Sequence, residues 1–135
     1  MPIADPRTRR FDLVIFGATS FVGQILVRTL AEHIPTHAPG LQWALAGRSE
    51  SKLAALRESL GAAAAALPLI VADAADGAAL QAMCAETRVV VSTVGPYALH
   101  GEPLVRACAE GGTDYCDLTG EAPWIRRMID AHEAA

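Results

Sequence analysis

The segment Gly17-Ala18-Thr19-Ser20-Phe21-Val22-Gly23 constrains this chain more than any other. It follows an apolar run, Phe11 to Phe16, and opens directly into an amphipathic stretch, so it stands where a strand turns sharply into a helix. A glycine that ends a buried strand lets the backbone reverse. The free N–H groups and the positive dipole end of the following helix then attract a phosphate group. The spacing is G-x-x-S-x-x-G: Gly17 makes the tight turn, Gly23 permits close helix packing, and Thr19, Ser20, Phe21 and Val22 complete the candidate loop. Ser20 takes the middle place, where the pattern usually has glycine. Its side chain narrows the approach to a pyrophosphate there, and its hydroxyl offers a hydrogen bond in partial compensation. If that place needs a positive φ, serine costs about 1 kcal/mol relative to glycine. No Gly-Lys-Ser/Thr follows Gly23, which excludes a phosphate-loop NTPase.

Strand-like and helix-like segments alternate along the chain, the pattern of a parallel sheet with covering helices. Strands are expected over 12–16, 41–46, 67–72, 88–93 and 113–118. The first helix carries Val22, Ile25, Leu26 and Leu30 on one side and ends near His33, before the loop marked by Pro35, Pro39 and Gly40. Ser49 caps the second, and Asp76 the third, whose buried stripe is Ala79, Leu80, Met83 and Cys84. A fourth helix over 101–110 has Pro103 in its first turn and Gly111-Gly112 at its end. The last has the stripe Ile125, Met128, Ile129 and His132. With right-handed crossovers these elements make a doubly wound, Rossmann-like α/β sheet of strand order 3-2-1-4-5. The ligand crevice then lies between strands one and four, at their C-terminal ends.

At 135 residues the chain is one domain's worth. Residues 1–10, with Arg7, Arg9 and Arg10, are expected to be a disordered or extended leader, and 11–135 a Rossmann domain truncated before the remaining strands and a C-terminal substrate domain. The formal net charge of −4 gives no general pull toward nucleic acid or an anionic membrane. The apolar runs are too short for a transmembrane span, and the basic start lacks the apolar stretch of a signal peptide. Cys84, Cys108 and Cys116 form no CxxC pair, which points to neither a disulfide framework nor a zinc site, and to a reducing cytoplasm.

The end of the second strand discriminates between the nicotinamide cofactors. An acidic residue there accepts from a ribose hydroxyl and repels a 2′-phosphate, whereas this chain has Arg48, with Ser49 beside it and Lys52, its one lysine, three residues on. Arginine meets a phosphate with two parallel hydrogen bonds and lysine adds a point charge, so NADP(H) is expected over NAD(H). Asp73, at the end of the third strand, reads either as an acceptor for the adenine amino group or as a turn aspartate. Thr93, Val94, Gly95 and Pro96 are placed to hold the nicotinamide ribose, with Tyr97 a candidate to orient substrate or donate a proton. No lysine lies four residues after either tyrosine, so the tyrosine–lysine pair of short-chain dehydrogenases is absent. His33 and His37 have a metal-like i, i+4 spacing, but Pro35 is expected to break the helix that would align them, and no metal is assigned. His100 is a candidate substrate contact; Asp117 and Glu121 read equally as rim and as capping residues. No catalytic residue is assigned.

Taken together, the glycine loop, Ala46-Gly47-Arg48-Ser49, Val94-Gly95-Pro96-Tyr97 and Asp114-Tyr115-Cys116-Asp117-Leu118-Thr119-Gly120-Glu121 resemble the saccharopine dehydrogenase-like oxidoreductases. Within that group the chain is most similar to the trans-acting enoyl reductases, from about Phe11 onward. The resemblance implies the cofactor-binding part of a larger NADP(H)-dependent enzyme, inactive by itself. That enzyme would reduce a carbon–carbon double bond on an acyl chain delivered by a polyketide synthase lacking its own reductase. Reduction of an imine or amino-acid adduct, as in saccharopine chemistry, and a non-catalytic NADP-sensing role are the alternatives. Oligomeric state is left open.

Overall fold

The computed structural model describes residues 5–135. Its strands are β1 (Phe11–Phe16), β2 (Trp43–Gly47), β3 (Leu69–Val71), β4 (Thr87–Ser92) and β5 (Asp114–Asp117). They form one five-stranded parallel sheet in the order β3-β2-β1-β4-β5, as expected from the sequence. The helices are α1 (Phe21–His37), α2 (Glu50–Ser59), α3 (Gly77–Ala85), α4 (Tyr97–His100), α5 (Glu102–Gly111) and α6 (Ala122–His132).

The central strand explains the architecture. β1 is paired on both sides, with Val14 opposite Ala44 and Val90, and Ile15 opposite Leu45 and Val91. Alternate side chains leave opposite faces of a strand, so an apolar run here feeds two cores. Val14 and Phe16 pack with Leu80, Met83, Cys84, Leu104 and Cys108, which come from α3 and α5. Ile15 packs on the other face with Val27 of α1 and with Leu53 and Leu56 of α2. Burying each such side chain is worth about 1.5–3 kcal/mol. Cys84 and Cys108, both free thiols, meet at 3.5 Å between α3 and α5, which makes Cys84 a packing residue.

Three expectations need correction. α1 does not stop near His33 but runs to His37 with Pro35 inside it. The proline removes one hydrogen bond in the last turn, while Leu30, Ala31 and Ile34 continue the apolar stripe of Val27 against the core and carry the helix onward. His33 and His37 are therefore aligned and stacked, with ring centroids 5.6 Å apart. Each Nδ1 bonds the backbone carbonyl one turn back.

In α6 the buried residue is Trp124, which lies outside the stripe expected from the sequence. Its tilt against Tyr97, at 5.6 Å between centroids, rotates the helix. Met128 and His132 remain half-buried, whereas Ile125 and Ile129 face outward. The leader is the third correction over its described part. Pro6–Thr8 forms a 3-10 turn. The Arg9 guanidinium donates to the carbonyls of Cys84 (3.0 Å), Thr87 (2.8 Å) and Gly111 (2.6 Å) and to the Thr113 hydroxyl (2.6 Å). It ties the ends of α3 and α5 to the sheet. Residues 1–4 lie outside the described residues.

Candidate functional site

The C-terminal ends of the strands border a cleft of about 610 Å³. Its floor is the turn after β1. Gly17 sits at φ +81°, and a Cβ there would lie 2.6 Å from Val94 Cγ2 and 2.7 Å from Thr93 Oγ1. Gly23 is as constrained: a Cβ would fall 2.1 Å from the carbonyl oxygen of Gly17. Gly17 is needed for its positive φ and for the side chains of Thr93 and Val94 that crowd it, and Gly23 because the first turn of α1 packs directly on the loop backbone.

Ser20 does not carry the strain that a positive φ would impose. It lies at φ −66°, ψ 164°, ordinary extended backbone, as the N-cap of α1. Its Oγ accepts from Gly23 N at 2.9 Å and lies 3.0 Å from Thr93 Oγ1. The Thr93 hydroxyl donates to the Gly17 carbonyl at 2.8 Å, so the Ser20 proton points to Thr93. The serine hydroxyl is thus engaged inside the loop, where it pins the turn to β4. As the first residues of α1, Phe21 and Val22 have N–H groups with no carbonyl one turn back within the helix. Their side chains are exposed, and neither they nor the buried Gly23 line the cleft.

The wall at the end of β2 carries the cations. Arg48, Ser49 and Lys52 all line the cleft, while Glu50, the acid of α2's first turn, does not. Ser49 caps α2 by accepting from Lys52 N at 3.4 Å. Among the described residues, neither Arg48 nor Lys52 enters an ion pair. Asp73 lines the same wall and accepts from Ala75 N at 2.8 Å, the turn role considered for it. Ala74 and Ala75 line the cleft beside it and were missed, since alanines carry no chemical signal in a sequence.

The opposite wall is formed by the end of β4 and the segment that leads into α4 and α5. Thr93, Val94 and Gly95 line the cleft, together with Leu99, His100 and Pro103. Pro96 is the N-cap of α4, a single helical turn that is not among the helices expected from the sequence. Tyr97 is not available to a substrate: it is buried, and its hydroxyl donates to the Ser92 carbonyl at 3.0 Å. Burial pushes that phenol's pKa up. Asp117 accepts from the Tyr115 hydroxyl and from Thr119 N. The Glu121 carboxylate accepts from Tyr97 N at 2.9 Å and Ala98 N at 3.2 Å. Both acids are engaged in holding backbone. Among the described residues no group of three or more His, Cys, Asp or Glu is placed to hold a metal ion.

Residues 13–135 match the family model described as the saccharopine dehydrogenase NADP binding domain. The chain is 48% identical over 127 residues to a trans-acting enoyl reductase of Mycobacterium bovis; the match takes in 94% of this chain and 29% of that protein. Among solved structures it resembles apo saccharopine dehydrogenase (L-Glu forming) from Saccharomyces cerevisiae, with a TM-score of 0.68 and 24% identity, over 87% of this chain and 24% of that one. It also resembles the Escherichia coli quinone oxidoreductase QOR2 complexed with NADPH, with a TM-score of 0.60 and 23% identity, over 78% of this chain and 35% of that one. At these identities the structural likeness establishes the fold. Among the described residues no helix is long and apolar enough to cross a membrane.

Proposed function

The chain belongs to the saccharopine dehydrogenase NADP-binding domain family, and on that premise we propose that its cleft binds NADP(H) for an enoyl reductase. The observation that carries the reading is one rim that collects the Gly17 turn, the Ser20 cap of α1 and two cations, Arg48 and Lys52, that enter no ion pair among the described residues. The residues fit the group. Gly17, Thr19 and Ser20 lie, with the N–H groups of Phe21 and Val22, where a pyrophosphate would meet a helix N-terminus, the Ser20 N–H itself being taken by the Gly17 carbonyl. Arg48, Ser49 and Lys52 meet a 2′-phosphate, Asp73 borders the adenine, and Thr93, Val94, Gly95 and Pro96 shape the ribose and nicotinamide end.

When bound, the nicotinamide supplies the hydride. This chain's own residues bind and orient it. Residues 11–135 form the cofactor domain of a longer cytoplasmic protein, whose remainder holds the acyl substrate brought by a polyketide synthase. The relative's name supports the acyl substrate, and its length, of which this chain spans 29%, supports a longer protein. By itself the chain binds cofactor without turnover.

The test is hydride transfer by the longer natural protein, followed as NADPH consumption with enoyl thioesters and with imines. Consumption with enoyl thioesters upholds the reading. Consumption with imines alone replaces it by saccharopine-type reduction, and NADPH binding with neither activity replaces it by a sensor.

A further inference from the structure

The stretch from Val94 to His100 forms one wall of the cleft; its own turn and the bond from the Tyr97 hydroxyl to Ser92 hold part of it, while the N–H groups at the start of α4 need an acceptor from elsewhere. α4 is a single turn of four residues, and its N-cap, Pro96, has no side chain that can accept from the free N–H groups at the helix start. The acceptor comes from 24 residues away. Glu121 reaches over from the loop after β5 and takes the N–H of Tyr97 at 2.9 Å with Oε2 and that of Ala98 at 3.2 Å with Oε1. The carboxylate is itself aimed. Thr119 Oγ1 donates to Glu121 Oε2 at 3.1 Å and accepts from Glu121 N at 3.1 Å, while Thr119 N donates to Asp117 Oδ1 at 2.9 Å. A chain of hydrogen bonds therefore runs from the end of β5 to the wall beyond β4.

We propose that Glu121 is a positioning residue, a clamp that preforms the Val94–His100 wall and so sets the shape of the nicotinamide end of the cleft, resting on the NADP(H) reading above. It is no candidate for a proton donor, because both its oxygens are engaged and it does not line the cleft. A preformed wall favours binding by removing the cost of ordering it when ligand arrives. The clamp touches one end of the cleft alone. The Arg48 and Lys52 wall shares no hydrogen bond with it among the described residues.

The experiment compares two probes on the whole chain by calorimetry: NADPH, which spans the cleft, and adenosine 2′,5′-bisphosphate, which matches its adenosine half alone. Glu121→Ala is expected to weaken NADPH about tenfold and to leave the bisphosphate within about twofold. Glu121→Gln, which keeps one acceptor oxygen, falls between. Thr119→Val, which leaves the carboxylate in place but unaimed, repeats the pattern on a smaller scale and serves if the first variant folds poorly. Equal loss for both probes, or loss for neither, overturns the proposal.

Amide exchange on the chain without ligand gives a second reading, independent of the cofactor. The Tyr97 and Ala98 amides are expected to exchange slowly in the wild type and faster in Glu121→Ala, with Gly23 and Gln24 unchanged. Fast exchange at Tyr97 and Ala98 in the wild type overturns the clamp. Wild-type chain that binds neither probe overturns the NADP(H) reading and the ligand half of this proposal, whereas the exchange result still decides whether Glu121 holds the wall.

Discussion

The two ends of the cleft are built on opposite plans. At the end of β2 the charged groups stand open: Arg48 and Lys52 are exposed and without ion-pair partners among the described residues. Beyond β4 and β5 the polar side chains of Tyr97, Tyr115, Asp117, Thr119 and Glu121 are turned on their neighbours, and His100 alone of the wall's ionisable groups lines the cleft among the described residues. Tyr97 bonds Ser92, Thr119 and the amides of Tyr97 and Ala98 bond Glu121, and Tyr115 bonds Asp117. In the proposed NADP(H) reading, the first end would offer charge to the ligand and recognise it by side chains, whereas the second, whose polar groups fix a backbone, would recognise it chiefly by shape.

Substitutions break this contrast in different places. The largest effect is expected for Gly23→Ala, whose Cβ would meet the Gly17 carbonyl oxygen at 2.1 Å and damage the loop that both ends share. The loss in stability should be about 3 kcal/mol or more, read by chemical denaturation, with affinity for NADPH and for its adenosine half falling together. Trp124→Ala acts on the second end alone. It empties the contact with Tyr97 and should cost about 3 kcal/mol, with amide exchange rising in α4 and α6 and not in α2.

A smaller change, Ser20→Ala, removes the α1 cap and the bond to Thr93, for a loss of about 1 kcal/mol by thermal unfolding. The smallest effect is one of pH. Burial opposes ionisation of Glu121, but the N–H groups of Tyr97 and Ala98 and the Thr119 hydroxyl outweigh it, with Arg127 adding to them, and hold the carboxyl below its usual pKa. A depressed folded value means that the clamp is whole above the ordinary glutamate pKa of about 4.3 and is lost as pH falls through the lower one. Amide shifts of Tyr97 and Ala98 should therefore titrate below that value; a midpoint above it would contradict the clamp.

How far the sequence could be read differs between the same two ends. The glycine turn, the Ser49 and Asp76 caps and the Arg48–Lys52 pair are legible because each rests on residues close together in the chain, and the sheet order, which pairs distant strands, because alternating strands and helices with right-handed crossovers leave few arrangements. The second end depends on contacts between distant residues: Glu121 with Tyr97, and Trp124 with Tyr97 and over Gly101, where a Cβ would fall 2.5 Å from the indole. No spacing rule announces these. Tyr97 thus reads as a substrate contact in the sequence, although its hydroxyl is bonded to Ser92, and the α6 stripe falls on Ile125 and Ile129 because Trp124 has no sequence neighbour that reveals its partner. Pro35 misleads for the opposite reason. Its local signal is strong, but packing of Leu30, Ala31 and Ile34 overrides it.

The central claim is that the open end selects the phosphorylated cofactor. Its most direct test is the dissociation constants of NADPH and NADH, measured by calorimetry for the wild-type chain and for Arg48→Ala. The wild type should prefer NADPH. The substitution should weaken NADPH by on the order of 10- to 100-fold, the loss of one charged hydrogen-bonding partner, and leave NADH unchanged. Equal affinity for the two cofactors in the wild type, untouched by the loss of Arg48, would contradict the account.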